Sequence, residues 1–319
     1  MLKKMMILMA VVFFGANVFA QSMDEAGEKY NEGNEKYSVK DYAGAIISFE
    51  EALNICNTVG ADADGLKGNI QKQLNNSYYK NGLSLYKKRK YDDAIANMQK
   101  SLALSEELGD ESKKVKNINY IAKIHSTKGL TLIKEKKLDE ALAEYDAAQK
   151  VKAGCVNASY GKALVYKEKG DMDLMMQNAD EAIKNGDGNE KAAKYVGKTK
   201  SLAAKTLLNE GTTELSKEHG AKAAEYLEAS MKYQAGSADT YYYLAIAYNK
   251  TKAYSKAIEA ANKAIELKEG DKSDIYFEIG QAHEGNGNTA GACDAYKKVT
   301  GGNNIETAKY QITTVLKCS

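Results

Sequence analysis

The chain has 319 residues, with 45 basic (Lys and Arg) and 43 acidic residues, 44% hydrophobic residues, four cysteines, no proline and no tryptophan. This hydrophobic content is enough to build a buried core, which excludes a wholly disordered chain. Arg89 is the single arginine. Because bidentate recognition of phosphate or guanine needs the guanidinium group, we expect no nucleic-acid partner.

The first twenty residues have the pattern of a secretory signal peptide. Lys3 and Lys4 give a basic start, residues 5–14 are strongly apolar, and Val18-Phe19-Ala20 fits a cleavage site. A membrane anchor is the alternative, but an apolar stretch of this length falls short of the roughly 20 residues that span a bilayer. We therefore expect residues 1–20 to be cleaved and the mature protein to be exported. The periplasm is the expected destination, with the cell surface or secretion as alternatives.

One pattern of small and bulky residues recurs seven times along the chain. Each copy opens on a small residue, and most copies have further small residues at offsets twelve and nineteen and a bulky residue at offset sixteen. Small residues at this spacing let two antiparallel helices approach closely, so each copy predicts a helical hairpin. The leading small residues are Gly33, Gly82, Gly129, Ala163, Gly211, Ala245 and Gly280.

In this spacing the chain resembles the tetratricopeptide repeat family, whose unit is a helix–turn–helix of about 34 residues. The first, second and sixth copies fit best, whereas the family's tryptophan and its closing proline are absent throughout. The resemblance implies an all-α fold, a right-handed α-solenoid of about seven hairpins over residues 21–303. Residues 304–319 are expected to form a C-terminal capping helix, because the last repeat otherwise exposes its stacking surface.

Three of the repeats are preceded by extra residues. These lie within residues 64–75, 111–123 and 189–202, which are free of proline and rich in Lys, Asn, Ala and Leu. This composition predicts that the first helices of the second, third and fifth hairpins are extended by roughly 20 Å, at 1.5 Å per residue. Disordered insertions are the alternative, because several glycines occur there.

The resemblance also implies a binding groove, because the first helices line the concave face of such solenoids. Three residues before and four residues after the leading small residue, this chain often has an aromatic side chain. A groove of this kind suits an extended or helical peptide. The alternative is that these residues only pack, since tyrosine is common here in the family consensus. The candidate groove residues are Tyr30, Asn34, Tyr37, Tyr79, Tyr86, Tyr160, Tyr242 and Phe277.

The cysteines and histidines are expected to have structural roles and not catalytic or metal-binding ones. Cys293 and Cys318 fall at similar heights on two antiparallel predicted helices, which allows a disulfide that fastens the cap. Cys56 and Cys155 are almost three repeats apart and are expected to be free. The three histidines have no metal-ligand spacing, and no P-loop, zinc-protease or serine-hydrolase motif occurs. We therefore expect no metal, no cofactor and no enzymatic activity.

Together these observations predict an exported, non-enzymatic scaffold that binds a protein or peptide through a tyrosine-lined groove. A carbohydrate-binding accessory protein is one alternative, since aromatic rings also stack on sugars. A self-assembling component of the cell envelope is another, and the oligomeric state is left open by the sequence. We expect no transmembrane segment in the mature chain.

Overall fold

The computed structural model describes residues 22–318, which form helices joined by turns and short irregular segments, with no strand among them. The predicted signal peptide, residues 1–20, lies outside the described residues. The described chain forms two compact units, which divide between Gly161 and Lys162. None of the helices within residues 22–318 has both the length and the apolar character needed to cross a bilayer.

The helices follow one another as antiparallel hairpins, which confirms the predicted all-α class. The first unit contains α1 (residues 22–38), α2 (Tyr42–Val59), a 3-10 turn (Ala61–Ala63), α3 (Asp64–Lys87), α4 (Tyr91–Glu107), α5 (Glu111–Lys134), α6 (Leu138–Val151) and the start of α7 (Val156–Lys169). The second unit contains the rest of α7, then α8 (Met172–Gly186), α9 (Ala193–Ser216), α10 (Gly220–Tyr233), α11 (Ala238–Lys250), α12 (Tyr254–Leu267), α13 (Ser273–Gly285), α14 (Thr289–Tyr296), α15 (Ile305–Tyr310) and a π-helical turn (Gln311–Val315).

The turn inside each hairpin has the same backbone geometry in all seven copies. The residue seven places after the leading small residue has a positive φ, and the second helix begins two residues later. The next backbone N–H closes the first helix, as where the Asp41 N–H donates to the Lys36 carbonyl at 2.9 Å. This bond satisfies a carbonyl that the helix end would otherwise leave unpaired. The left-handed residues are Lys40, Arg89, Lys136, Gly170, Glu218, Lys252 and Gly287.

Within each hairpin, the leading small residue faces the residue at offset sixteen. A Cβ added to Gly33 would stand 2.5 Å from the ring of Phe49, so the ring rests on the glycine backbone. Five hairpins pair glycine with a large side chain, and the two that begin with alanine have alanine at both positions. The side chains at the two positions therefore fill the helix contact together, either as glycine with a large residue or as two alanines. The offset-sixteen residues, all buried, are Phe49, Met98, Tyr145, Ala179, Leu227, Ala261 and Tyr296.

The extra residues before the second, third and fifth copies are mostly helical, as predicted. Helices α3, α5 and α9 have 24 residues each, whereas α7, α11 and α13 have 13 or 14. The difference corresponds to about 15 Å of added length. The preceding helices α2 and α4 are also long, with 18 and 17 residues, so both partners of these helix pairs take up inserted residues. In the fifth copy the extension begins only at Ala193, after a turn.

A buried polar network joins three of these long helices. Asn75 of α3 accepts a hydrogen bond from Ser101 of α4 at 2.6 Å and donates one to Ser105 at 3.1 Å. Asn117 of α5 donates to Ser101 at 2.9 Å. All four side chains are buried. Because buried polar groups need matched partners, these bonds favour one register of α3, α4 and α5 over others.

The C-terminal segment covers the last hairpin. Ala308 packs with Phe277, Tyr296 and Val299, and further apolar side chains of the segment pack around them. A disulfide joins Cys293 of α14 to Cys318, with 5.8 Å between the Cα atoms. The cap is therefore attached to the seventh hairpin both by apolar contacts and by a covalent bond. Cys56 and Cys155 are free and buried.

Candidate functional site

The first unit carries a group of aromatic side chains on two neighbouring first helices, α3 and α5. Tyr79 and Tyr86 are seven residues apart on α3, and Tyr120, Lys123 and Thr127 are spaced by three and four residues on α5. Residues at these spacings share one face of a helix. We refer to these five residues as the tyrosine surface.

Direct contacts join the two halves of the tyrosine surface. The rings of Tyr79 and Tyr120 meet edge to face, with 5.9 Å between their centroids. The hydroxyls of Tyr86 and Thr127 are hydrogen-bonded at 3.2 Å. The Lys123 ammonium stands 5.5 Å from the Tyr86 ring and 5.6 Å from the Tyr120 ring, within the range of cation–π attraction. The surface is therefore continuous across α3 and α5.

The electrostatic character of the tyrosine surface follows from its burial. The tyrosines are half-buried, and Lys123 is exposed. Burial, with the nearby Tyr120 hydroxyl, raises the pKa of Tyr79 above its ordinary value. The hydroxyl groups of Tyr79 and Tyr120 are hydrogen-bonded to each other. The exposed Lys123 ammonium offers hydrogen-bond donors and one positive charge to an approaching molecule.

The other predicted groove residues of the first unit are partly packed. The ring of Tyr30 lies 5.8 Å from that of Phe49 in the core of the first hairpin. Tyr37 meets Tyr42 edge to face at 5.3 Å, and burial raises its pKa. Asn34 and Tyr160 are half-buried. Tyr79 and Tyr86 belong to an aromatic surface shared by successive hairpins.

In the second unit, the two predicted residues differ in exposure. Tyr242 of α11 is half-buried beside Tyr243, and burial together with Glu278 and Asp274 raises its pKa to about 12. Phe277 is only 7% exposed and packs against Tyr296 beneath the C-terminal cap. The prediction that Phe277 offers a surface to a partner was therefore wrong, because the cap covers it.

The prediction from the sequence missed the α5 half of the tyrosine surface. The repeat spacing selects Ser126 and Ile133 on this helix, and Ser126 is buried. Tyr120, Lys123 and Thr127 precede those positions because α5 is extended at its N-terminal end. Their own spacing of three and four residues on a helix was the signal that could have identified them.

Comparison with known proteins agrees with this architecture. Residues 127–195 and 208–272 match a tetratricopeptide repeat family model, and no curated protein matches the sequence. Similar solved structures include MamA from Desulfovibrio magneticus RS-1 (19% identity, 60% of this chain and 96% of that chain, TM-score 0.33). Another is a tetratricopeptide repeat protein from Parabacteroides merdae (14% identity, 94% of this chain and 100% of that chain, TM-score 0.28). A third is the TPR2AB domain of yeast Sti1 in a pHSP90 complex (16% identity, 92% of this chain and 95% of that chain, TM-score 0.30). The two matched stretches are therefore tetratricopeptide repeats, and the other described hairpins have the same helical architecture.

Proposed function

We propose that this protein is an exported, non-enzymatic scaffold that holds a protein or peptide partner on its tyrosine surface. The tetratricopeptide fold suggests protein–protein interaction, and the continuous contact of Tyr79, Tyr86 and Tyr120 across two first helices is the observation that carries the proposal. Tyrosines provide a large apolar area with few rotatable bonds, so little side-chain entropy is lost when a partner binds.

The chemistry of the surface favours a partner with hydrogen-bond acceptors. The exposed Lys123 ammonium donates to backbone carbonyls or to carboxylates. An extended or helical segment with an acidic residue near Lys123 would use both the apolar rings and the positive charge.

Two observations support export. The first twenty residues follow the pattern of a secretory signal peptide. The Cys293–Cys318 disulfide favours an oxidising compartment, because disulfides persist there and are rare in reducing cytosol. Fractionation of cells that express the full chain, with N-terminal sequencing, tests this part. We expect the mature protein outside the cytoplasm and starting at Gln21. A cytoplasmic protein starting at Met1 would refute it.

The binding proposal is tested by affinity capture from an envelope extract with the mature chain as bait. We expect one protein to be captured by the native chain and by the control Tyr310→Ala, because Tyr310 is an exposed tyrosine on α15. The double variant Tyr79→Ala/Tyr86→Ala should lose that protein while keeping its helical circular-dichroism spectrum. Equal capture by both variants would show that the tyrosine surface is not the binding site, and capture of a glycan in place of a protein would favour the carbohydrate alternative.

A further inference from the structure

Helix α5 carries a strong local positive charge. From Ser112 to Lys134 it contains six lysines and neither aspartate nor glutamate. The neighbouring helix α3 also lacks acidic residues from Gly65 to Lys87. The whole chain is close to neutral, with 45 basic and 43 acidic residues. The excess of positive charge is therefore a local property of the two helices that form the tyrosine surface.

The lysines of α5 that face the second helices are balanced by acidic residues there. Lys114 forms an ion pair with Glu106 of α4 at 3.6 Å. Lys128 forms one with Glu144 of α6 at 2.8 Å, and it also pairs with Asp92 of α4. The side of α5 that packs on α4 and α6 therefore has its positive charges paired.

Three other lysines of α5 are exposed and form no ion pair with any residue that the structure describes. They are Lys116, Lys123 and Lys134, and we call them the lysine row. Successive members are seven and eleven residues apart, close to two and three helical turns, so they share one face of α5. The row is about 27 Å long at 1.5 Å per residue.

The lysine row lies on the same face of α5 as the tyrosine surface. Tyr120 and Thr127 each follow a member of the row by four residues, which places them on its face. The ring of Tyr120 meets that of Tyr79 on α3. The Thr127 hydroxyl is hydrogen-bonded to that of Tyr86, also on α3. Unpaired positive charges and aromatic rings are thus combined along one face.

We propose that the lysine row binds an acidic segment of the partner protein, which lies along α5 with its apolar side chains against the tyrosine rings. The three ammonium groups have no acidic partner among the described residues, so the carboxylates of a ligand would be their counter-ions. Because the row is about 27 Å long, a single terminal carboxylate would meet only one lysine, and the ligand needs carboxylates at several points. The inference rests on the proposed function, since it specifies the charge of the partner that the tyrosine surface holds.

Several weak contacts act together in this arrangement. An exposed pair of lysine and carboxylate contributes little by itself, because water screens the charges and both side chains lose rotamer freedom. Three such pairs, next to the apolar contacts of the rings, should give a preference for acidic sequences of about tenfold or more. Salt should reduce this preference, because the Debye length falls from about 10 Å at 0.1 M to about 3 Å at 1 M.

Fluorescence anisotropy of the mature chain with two matched peptides tests the inference. Each peptide has about 20 residues, which span the lysine row even as a helix, and the two have leucine at the same positions. One peptide has glutamate at its polar positions, and the other has glutamine. We expect the glutamate peptide to bind at least about tenfold more tightly at low salt, and this advantage to shrink as the salt concentration rises to about 1 M.

A triple variant removes the charge of the lysine row while keeping residues that are favourable in helices. The variant Lys116→Gln/Lys123→Gln/Lys134→Gln should bind the glutamate peptide at least about tenfold more weakly than the native chain. Its helical circular-dichroism spectrum should be unchanged. The control makes the same charge change at exposed lysines outside α5 and should keep an affinity close to that of the native chain. Its substitutions are Lys40→Gln, Lys90→Gln and Lys150→Gln.

Equal binding of the two peptides, or equal loss of affinity in the triple variant and its control, would overturn the inference. Heparin, a sulfated glycan, is a third probe. Binding of heparin that is tighter than that of the glutamate peptide, and that is lost in the triple variant, would reject a protein segment as the ligand.

Affinity capture separates this inference from the proposed function. We expect the partner to be lost both by the triple lysine variant and by Tyr79→Ala/Tyr86→Ala. A partner that is lost by the tyrosine variant but retained by the lysine variant would uphold the proposed function and reject this addition to it. Retention by both variants would reject both.

Discussion

The side chain of Leu227 lies directly over Gly211, so that a Cβ added to the glycine would stand 2.7 Å from Leu227 Cγ. The equivalent pair in the fourth hairpin is Ala163 and Ala179, and both of these residues are fully buried. Helix contacts of the same kind are thus filled in two ways, by glycine with a large side chain or by two alanines. This relationship predicts how substitutions at the two positions depend on each other.

The variant Gly211→Ala should lower the free energy of unfolding by about 1 kcal/mol, because the new Cβ overlaps Leu227. Leu227→Ala should lower it by about 2–5 kcal/mol through loss of buried surface and formation of a cavity. In the double variant the added methyl occupies part of that cavity, so its loss should be smaller than the sum by about 1 kcal/mol or more. Urea denaturation of the four proteins measures this coupling.

A control for the glycine substitution exists in the same helix. Gly197 of α9 has nothing within 4 Å of an added Cβ. Gly197→Ala should therefore stabilise the protein by about 0.5–1 kcal/mol, because alanine loses less backbone entropy in a helix. Additive losses at Gly211 and Leu227 would contradict the account of the hairpin contact.

The left-handed turn residues give a second prediction. Lys40 is exposed and has φ 66°, a conformation that costs a non-glycine residue about 1–2 kcal/mol. Lys40→Gly should raise the free energy of unfolding by about 0.5–1 kcal/mol, after the entropy that glycine gains in the unfolded chain. Lys80→Gly, in the middle of α3, should lower it by about 1 kcal/mol. Thermal unfolding measures both changes. Equal changes in stability for Lys40→Gly and Lys80→Gly would show that the left-handed turn conformation does not determine the effect of glycine.

The disulfide between Cys293 and Cys318 should stabilise the C-terminal segment. It closes a loop with a sequence separation of 25 residues, and chain-entropy arguments assign about 3 kcal/mol to a loop of this size. We expect reduction to increase amide hydrogen exchange in α15 most strongly. The double variant Cys293→Ala/Cys318→Ala should exchange like the reduced protein and show no response to reductant. Unchanged exchange in α15 on reduction would mean that apolar packing alone holds the cap.

Glu278 should make stability depend on pH. Burial raises the pKa of its carboxyl, so above the usual glutamate pKa of about 4.3 the folded chain still binds a proton that the unfolded chain has released. The free energy of unfolding therefore falls as pH rises from the unfolded-state pKa through the raised folded-state pKa. Glu278→Gln lacks this loss, and its stability relative to the native protein should increase as the pH rises from about 4 through the raised folded-state pKa.

The pH prediction is checked by urea denaturation at several pH values. Glu269→Gln is the matched control, because this carboxyl is exposed in a loop. Its stability relative to the native protein should change little with pH. A Glu278→Gln difference that is constant, or that decreases as pH rises, would contradict the assignment of a raised pKa.

Much of the fold could be predicted from the repeat spacing. One pattern places the leading small residue, the start of each second helix and the bulky residue at offset sixteen, because the two helices of every hairpin pack together in the same way.

Gly220 shows why the fifth copy departs from this pattern. The sequence has glycine there, where other copies often have tyrosine, and an added Cβ would stand 2.7 Å from Lys250 Cβ. Helix α11 occupies the space that a larger side chain would need.

The candidate site could be predicted only in part, because exposure depends on neighbouring helices. Tyr79 and Phe277 occupy the same repeat position, but Phe277 is covered by the C-terminal segment. The sequence pattern alone does not distinguish these environments. Tyr120 lies beside Tyr79 because α5 is extended, a contact between residues that the repeat spacing does not align.

Site-specific photo-crosslinking in living cells tests the central claim most directly. A benzophenone amino acid placed at Tyr79 or Tyr86 keeps an aromatic ring on the tyrosine surface, and the same substitution at Tyr310 serves as the exposed control. We predict that the first two positions form a crosslink to one and the same protein outside the cytoplasm, and that position 310 does not. Absence of a crosslink from both α3 positions, or an equal crosslink from position 310, would contradict the assignment of partner binding to this surface.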